Sequence, residues 1–85
     1  MKSVTQRIAD PLGLHARLAS KISKTASDYQ SSVRIVFGGN RAQADDLLGL
    51  MALDVREDDL VRIEAEGPDE EAAGDAVARV AGMTV

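Results

Sequence analysis

Leu60-Val61-Arg62-Ile63-Glu64-Ala65-Glu66-Gly67-Pro68-Asp69-Glu70-Glu71-Ala72-Ala73 is where one hydrophobic period gives way to another. Across 60–66, Val61, Ile63 and Ala65 face one way and Arg62, Glu64 and Glu66 the other. That two-residue period predicts a strand with one dry and one wet face. Gly67-Pro68-Asp69 closes the strand, and the aspartate stands where a helix cap belongs. Beyond it Ala73, Ala76, Val77 and Val80 recur at i, i+3, i+4 and i+7, the apolar stripe of a helix. Glu70 and Glu71 fall in its first turn and Arg79 in its last, which suits the helix dipole. A strand and a helix that each bury one face imply two layers.

The rest of the chain repeats this arrangement. Residues 32–37 alternate, with Val33, Ile35 and Phe37 against Ser32, Arg34 and Val36. Gly38-Gly39-Asn40 reads as a turn, and a short return strand over 41–44 makes a hairpin. Asp45 and Asp46 then precede Leu47-Leu48-Gly49-Leu50-Met51-Ala52-Leu53. An acidic residue before an apolar run signals a helix start, and Gly49 weakens that helix. Over 16–28, Leu18, Ala19, Ile22, Ala26 and Tyr29 share one helical face, and Arg17, Lys21, Lys24 and Asp28 take the other. Residues 2–8 form a first strand, with Val4 and Ile8 on one face. Asp10-Pro11-Leu12-Gly13 is a loop. The order is β-α-β-β-α-β-α. The fold class is α+β: an open-faced two-layer sandwich, a four-stranded antiparallel sheet covered on one face by three helices.

At 85 residues the chain makes one domain, spanning 1–85. It has no cysteine, so disulfides, thiolate chemistry and sulfur-based zinc sites are excluded. The formal net charge of −4 argues against general nucleic-acid binding, which needs a basic face. No apolar run approaches the roughly 20 residues of a membrane helix. Nor does Met1-Lys2-Ser3-Val4 lead into the apolar core of a signal segment. A soluble protein of a reducing cytoplasm is expected. Asp54, Glu57, Asp58, Asp59, Glu64, Glu66, Asp69, Glu70, Glu71 and Asp75 make the later half acidic, a solvated surface in its plainest reading.

His15 is the one histidine. It stands after Gly13, at the start of the first predicted helix. Imidazole changes charge near neutral pH and can act as a neutral nucleophile. A helix start offers unpaired N–H groups to an anion. Arg17 can add a guanidinium whose shape matches phosphate. A surface or capping histidine fits the same position. A metal site does not, because no second histidine or cysteine exists to complete one, and no cofactor is called for.

Gly13-Leu14-His15-Ala16-Arg17 resembles the active-site signature of the HPr family, the histidine phosphocarriers of the bacterial phosphotransferase system. Leu47 to Leu53 with Val55 resembles that family's second helix. Val61 to Gly67, then Asp69-Glu70 and an alanine-rich helix, resembles its closing strand and helix. The resemblance implies that His15 takes a phosphoryl group on Nδ1 from enzyme I, whose donor is phosphoenolpyruvate. His15 would pass the group to an enzyme IIA domain in carbohydrate uptake. It implies that Arg17 and the backbone amides of Ala16 and Arg17 bind the phosphoryl group. The protein would thus be a carrier without independent turnover, a monomer with transient partners. Leu47, Leu48 and Met51 would form an exposed docking patch, leaving Leu50 and Leu53 for the core. Lys21 and Lys24 would continue the basic face toward an acidic partner, or stand as plain solvated lysines.

Several positions depart from the family pattern. Leu18 replaces a usual proline. Leu12 replaces a small polar residue that caps the loop, a loss expected to loosen His15. Asp46 occupies the place of a regulatory serine, with Asp45 beside it. The pair either caps the second helix or mimics a phosphorylated serine. Asp54 and Glu57 replace frequent glycines. Aspartate tolerates the left-handed region better than glutamate, so a changed loop is expected over 56–59. Two other readings stay open. One is an HPr-like regulatory module that touches a transcription factor or an enzyme through the second helix. The other is a carrier in a nitrogen-related or dihydroxyacetone-kinase branch.

Overall fold

The computed structural model describes all residues, Met1–Val85. Its elements run β1 (Lys2–Arg7), α1 (Ala16–Ser27), β2 (Ser32–Phe37), β3 (Asn40–Gln43), α2 (Leu47–Ala52), β4 (Leu60–Glu66) and α3 (Glu70–Ala81). The strands form one antiparallel sheet in the order β1-β4-β2-β3. The expected α+β architecture and element order are therefore those of the molecule. The return strand begins one residue earlier than the sequence suggests, at Asn40, because Phe37 pairs with Asn40 across the two-glycine turn. Gly38 and Gly39 both take positive φ there.

The period-two reading of β4 follows from its place in the middle of the sheet. Ile63 pairs with Val4 of β1 and with Ile35 of β2, so one row of apolar side chains crosses three strands. Ile35 and Ile63 are fully buried with Ile8, Leu18, Ile22 and Leu50. Each such side chain stabilises the fold by about 2 kcal/mol. On the opposite face Glu64 lies between Arg34 and Arg62, accepting from Nε of each at 2.6 and 2.8 Å. The Arg34 guanidinium first, then Arg62, holds the Glu64 carboxyl below its ordinary range.

The apolar stripe of α3 is rotated from its predicted position. Ala73, Gly74, Val77, Ala78 and Ala81 are buried, while Ala76 and Val80 are only half-buried. Small residues face the sheet because the helix lies close to it. A Cβ on Gly74 would stand 2.7 Å from Lys2 Cγ and 3.6 Å from Ala65 Cβ. Asp69 does not cap α3 with its side chain. Its carboxylate accepts from the backbone amides of Gln30 and Ser31, both at 2.9 Å, and from the Ser31 hydroxyl. It thus ties the α1–β2 connection to the end of β4. Glu70 reaches back instead, accepting from the Gly67 amide at 3.3 Å.

The loop before β4 takes its left-handed residues at Asp54 (φ 56°) and Asp58 (φ 72°). Glu57 is not one of them; the aspartate after it takes the left-handed position instead. The Asp58 amide donates to the Ile8 carbonyl at 2.7 Å, and the Ile8 amide to Asp59 O at 2.9 Å. The turn therefore continues the β1–β4 ladder, and an aspartate occupies its strained position.

Candidate functional site

His15 is the residue before the first turn of α1, with extended backbone angles (φ −86°, ψ 176°). Its carbonyl accepts the first intrahelical bond, from the Ala19 amide at 2.9 Å. The amides of Ala16 and Arg17 precede that bond and have no intrahelical partner. The loop behind His15 is tightly specified. The Gly13 amide donates to the Asp10 carbonyl at 2.8 Å, and the His15 amide to the Gly13 carbonyl at 2.9 Å. Gly13 has φ +69° and lies against the 55–56 backbone, where the Leu14 amide donates to Val55 O at 3.0 Å. A Cβ at Gly13 would stand 2.8 Å from Arg56 Cα and closer still to the Val55 carbonyl oxygen. Glycine is required there for both conformation and space.

The His15 side chain does not cap its own helix. Its Nε2 lies 3.2 Å from Oδ2 of Asp10. Asp10 is 1% exposed. Its Oδ1 accepts from the Leu12 amide at 2.9 Å, and its Oδ2 also accepts from the Val85 amide at 2.8 Å. The Val85 and Leu12 amides, with His15 third, hold the Asp10 carboxyl down at about 2 against the cost of burial. Asp10 is thus a carboxylate at any pH where His15 could react.

Sequence reading missed this residue. Its signal was a carboxylate five positions before the lone histidine, with a Pro-x-Gly bend between them. The loop cap expected to be lost with a polar side chain at 12 is supplied from position 10. Leu12 itself is 73% exposed.

Arg17 is exposed and forms no ion pair, so its guanidinium is free for an anion at the helix start. Lys21 and Lys24 are exposed on the same helix. Leu18 is fully buried, and α1 still begins at Ala16 without a proline. On α2, Leu50 and Leu53 are buried while Leu47, Leu48 and Met51 are exposed at 39, 78 and 41%. α2 packs beside α1, so this apolar surface adjoins the helix that carries His15. Asp46 accepts from the Gly49 amide at 3.0 Å and caps α2; Asp45 makes no cap. A Cβ on Gly49 would fall 2.8 Å from Asp46 Cγ, so the glycine that weakens the helix also makes room for its cap. No group of three or more His, Cys, Asp and Glu side chains converges to hold a metal. The one pocket opens among Ala26, Tyr29, Val33, Gln43 and Asp45, and neither His15 nor Arg17 lines it. Small-molecule sites are concave. His15 lies at no such cavity. No helix is long and apolar enough to cross a membrane.

The molecule is thus an open-faced sandwich with a lone imidazole at a helix start and a free guanidinium two residues on. Comparison with known proteins gives this architecture its family. The sequence model described as "PTS HPr component phosphorylation site" matches residues 2–82. Phosphocarrier protein HPr of Mycoplasma pneumoniae is 36% identical over 81 residues, 94% of this chain and 92% of that protein. Phosphocarrier protein NPr of Shewanella violacea is 37% identical over 70 residues, 82% of this chain and 77% of that one. The crystal structure of HPr-C-His from Thermoanaerobacter tengcongensis superposes with a TM-score of 0.89 at 34% identity, covering 100% of both chains. The chain belongs to the HPr family, the phosphocarriers of the phosphotransferase system.

Proposed function

We propose that His15 is the phosphoryl acceptor. It takes the group on Nδ1 from the phosphohistidine of enzyme I, charged by phosphoenolpyruvate, and hands it to a histidine on an enzyme IIA domain during carbohydrate uptake in the cytoplasm. The observation that carries this reading is the position of His15. It is the sole histidine, held at the start of α1 where the Ala16 and Arg17 amides have no intrahelical partner. Arg17 and those amides bind the phosphoryl oxygens as charge shifts during transfer. Such a reaction asks for positioning and electrostatics, with little further chemistry from the carrier.

Docking falls to Leu47, Leu48 and Met51, with Lys21 and Lys24 meeting acidic groups on the partner. Exposed apolar clusters of this kind mark binding surfaces. The carrier must leave each partner quickly, so the contact is small and the protein works as a monomer. Asp46, already engaged as a cap, holds the regulatory position as a structural residue. The match to NPr at 37% is as good as the match to HPr at 36%, so a nitrogen-related branch is the second reading.

Incubation with phosphoenolpyruvate, magnesium and an enzyme I tests the proposal. Mass spectrometry is expected to find one acid-labile phosphoryl group, on His15, absent from His15→Ala. Arg17→Ala should slow its appearance by about tenfold or more. A wild-type protein that stays unlabelled beside an HPr control that labels would refute it.

A further inference from the structure

We infer that Asp10 is a positioning residue for phosphoryl transfer: it fixes the His15 ring as the Nε2–H tautomer, leaves Nδ1 as the sole nucleophile, and balances the ring's charge while the phosphoryl group is attached. This rests on the phosphocarrier reading of His15. The geometry carries it. A carboxylate can only accept, so at 3.2 Å from Asp10 Oδ2 the Nε2 atom must be the donor. In the neutral ring the lone pair then belongs to Nδ1. Asp10 is 1% exposed and cannot swing away, because the Leu12 and Val85 amides hold its two oxygens at 2.9 and 2.8 Å. Its own carbonyl accepts from the Gly13 amide, so the residue that orients the ring also closes the turn that delivers it. His15 is thereby oriented by a buried group that is itself oriented by backbone. The aspartate of a serine-protease triad holds its histidine by the same logic.

The Nδ1 lone pair forms the new N–P bond as the N–P bond to the donor histidine breaks. That bond's electron pair stays on the donor ring. No proton leaves Nδ1, because none was there, and the Nε2 proton stays in its hydrogen bond to Asp10. The His15 ring gains a formal positive charge beside the Asp10 carboxylate. Discharge to an acceptor histidine reverses every term, so one contact serves both loading and unloading.

Ring nitrogen shifts of wild-type His15 are the first test, read by NMR above the titration of the imidazole. They are expected to show a proton on Nε2 and a bare Nδ1. In Asp10→Asn, with its fold checked by the amide spectrum, both tautomers should appear. Its rate of phosphorylation by enzyme I should fall about ten- to a hundredfold, the usual cost of losing a group that orients a reactive side chain. A wild-type ring protonated on Nδ1 would overturn the proposal. So would tautomers and rates in Asp10→Asn equal to wild type. If Asp10→Asn does not fold, the wild-type ring spectrum alone decides. A wild-type protein that is never phosphorylated would sink the phosphocarrier reading and not the tautomer assignment, so the two failures are distinct.

Discussion

Gly13→Ala would strain the loop that delivers His15, and the cost can be built from parts. The residue holds φ +69°, where an L side chain costs about 1–2 kcal/mol. Its new Cβ would meet Arg56 Cα at 2.8 Å and the Val55 carbonyl carbon at 3.2 Å. Both are backbone atoms and cannot rotate aside, so the 55–56 segment must move. Movement breaks the bond from the Leu14 amide to Val55 O and leaves a buried donor short of its partner, a further cost of about 1–3 kcal/mol. The sum is about 2–5 kcal/mol. A domain of 85 residues has on the order of 4–13 kcal/mol in all, so the loss is a large fraction. Gly38→Ala is the internal control. Gly38 has φ +58° with nothing within 4 Å of a Cβ, so it should show only the conformational part. Urea unfolding followed by circular dichroism would read both. With a slope of about 1–1.5 kcal/mol per molar, Gly13→Ala should lower the midpoint by roughly 3 M and Gly38→Ala by somewhat less than half that. Equal costs at the two positions would refute the claim that the 55–56 backbone specifies this loop.

Leu50→Ala should cost about 2–5 kcal/mol by urea unfolding, whereas Leu48→Ala on the same short helix should stay within about 0.5 kcal/mol. Asp46→Ala should lose about 1 kcal/mol with the cap on Gly49, and Asp46→Ser should lose little of it. If capping is the whole role of Asp46, Asp46→Ser leaves the rate of labelling by enzyme I unchanged; an accelerated rate would reveal a charge effect. Acid should destabilise the protein with a defined shape. The folded pKa of Asp10 lies near 2, below its unfolded value, so its contribution is complete above about pH 4 and is lost as pH falls through 2. Glu64 and Asp69, also held low, act in the same direction. Urea midpoints taken between pH 4 and pH 2 should fall less steeply in Asp10→Asn than in wild type.

The sheet was legible because its central strand is dry on one side and wet on the other. Val61, Ile63 and Ala65 could be separated from Arg62, Glu64 and Glu66 by period alone. The α3 stripe was legible only at Ala73 and Val77, because the rest of its buried face is made of Gly74, Ala78 and Ala81. Residues that small are chosen for close approach and carry almost no hydrophobic signal. Asp69 misled for a related reason. Its position before an acidic first turn matched a cap, but its partners Gln30 and Ser31 lie nearly forty residues away and only the fold brings them near. The site was half legible. His15, Ala16 and Arg17 are contiguous, and their chemistry can be read from a helix start. Asp10 acts through a turn and through Val85, 75 residues on, so its role becomes visible only when the chain closes on itself.

A carrier must also give its phosphoryl group up, and discharge can be followed directly. The protein would be loaded with radiolabelled phosphoenolpyruvate and enzyme I, freed of both, and mixed with an enzyme IIA domain. Label is expected to leave His15 and appear on the acceptor's histidine within the mixing experiment, with none lost to water first. Label that stays on His15 across a panel of acceptor domains, or that never loads, would contradict it.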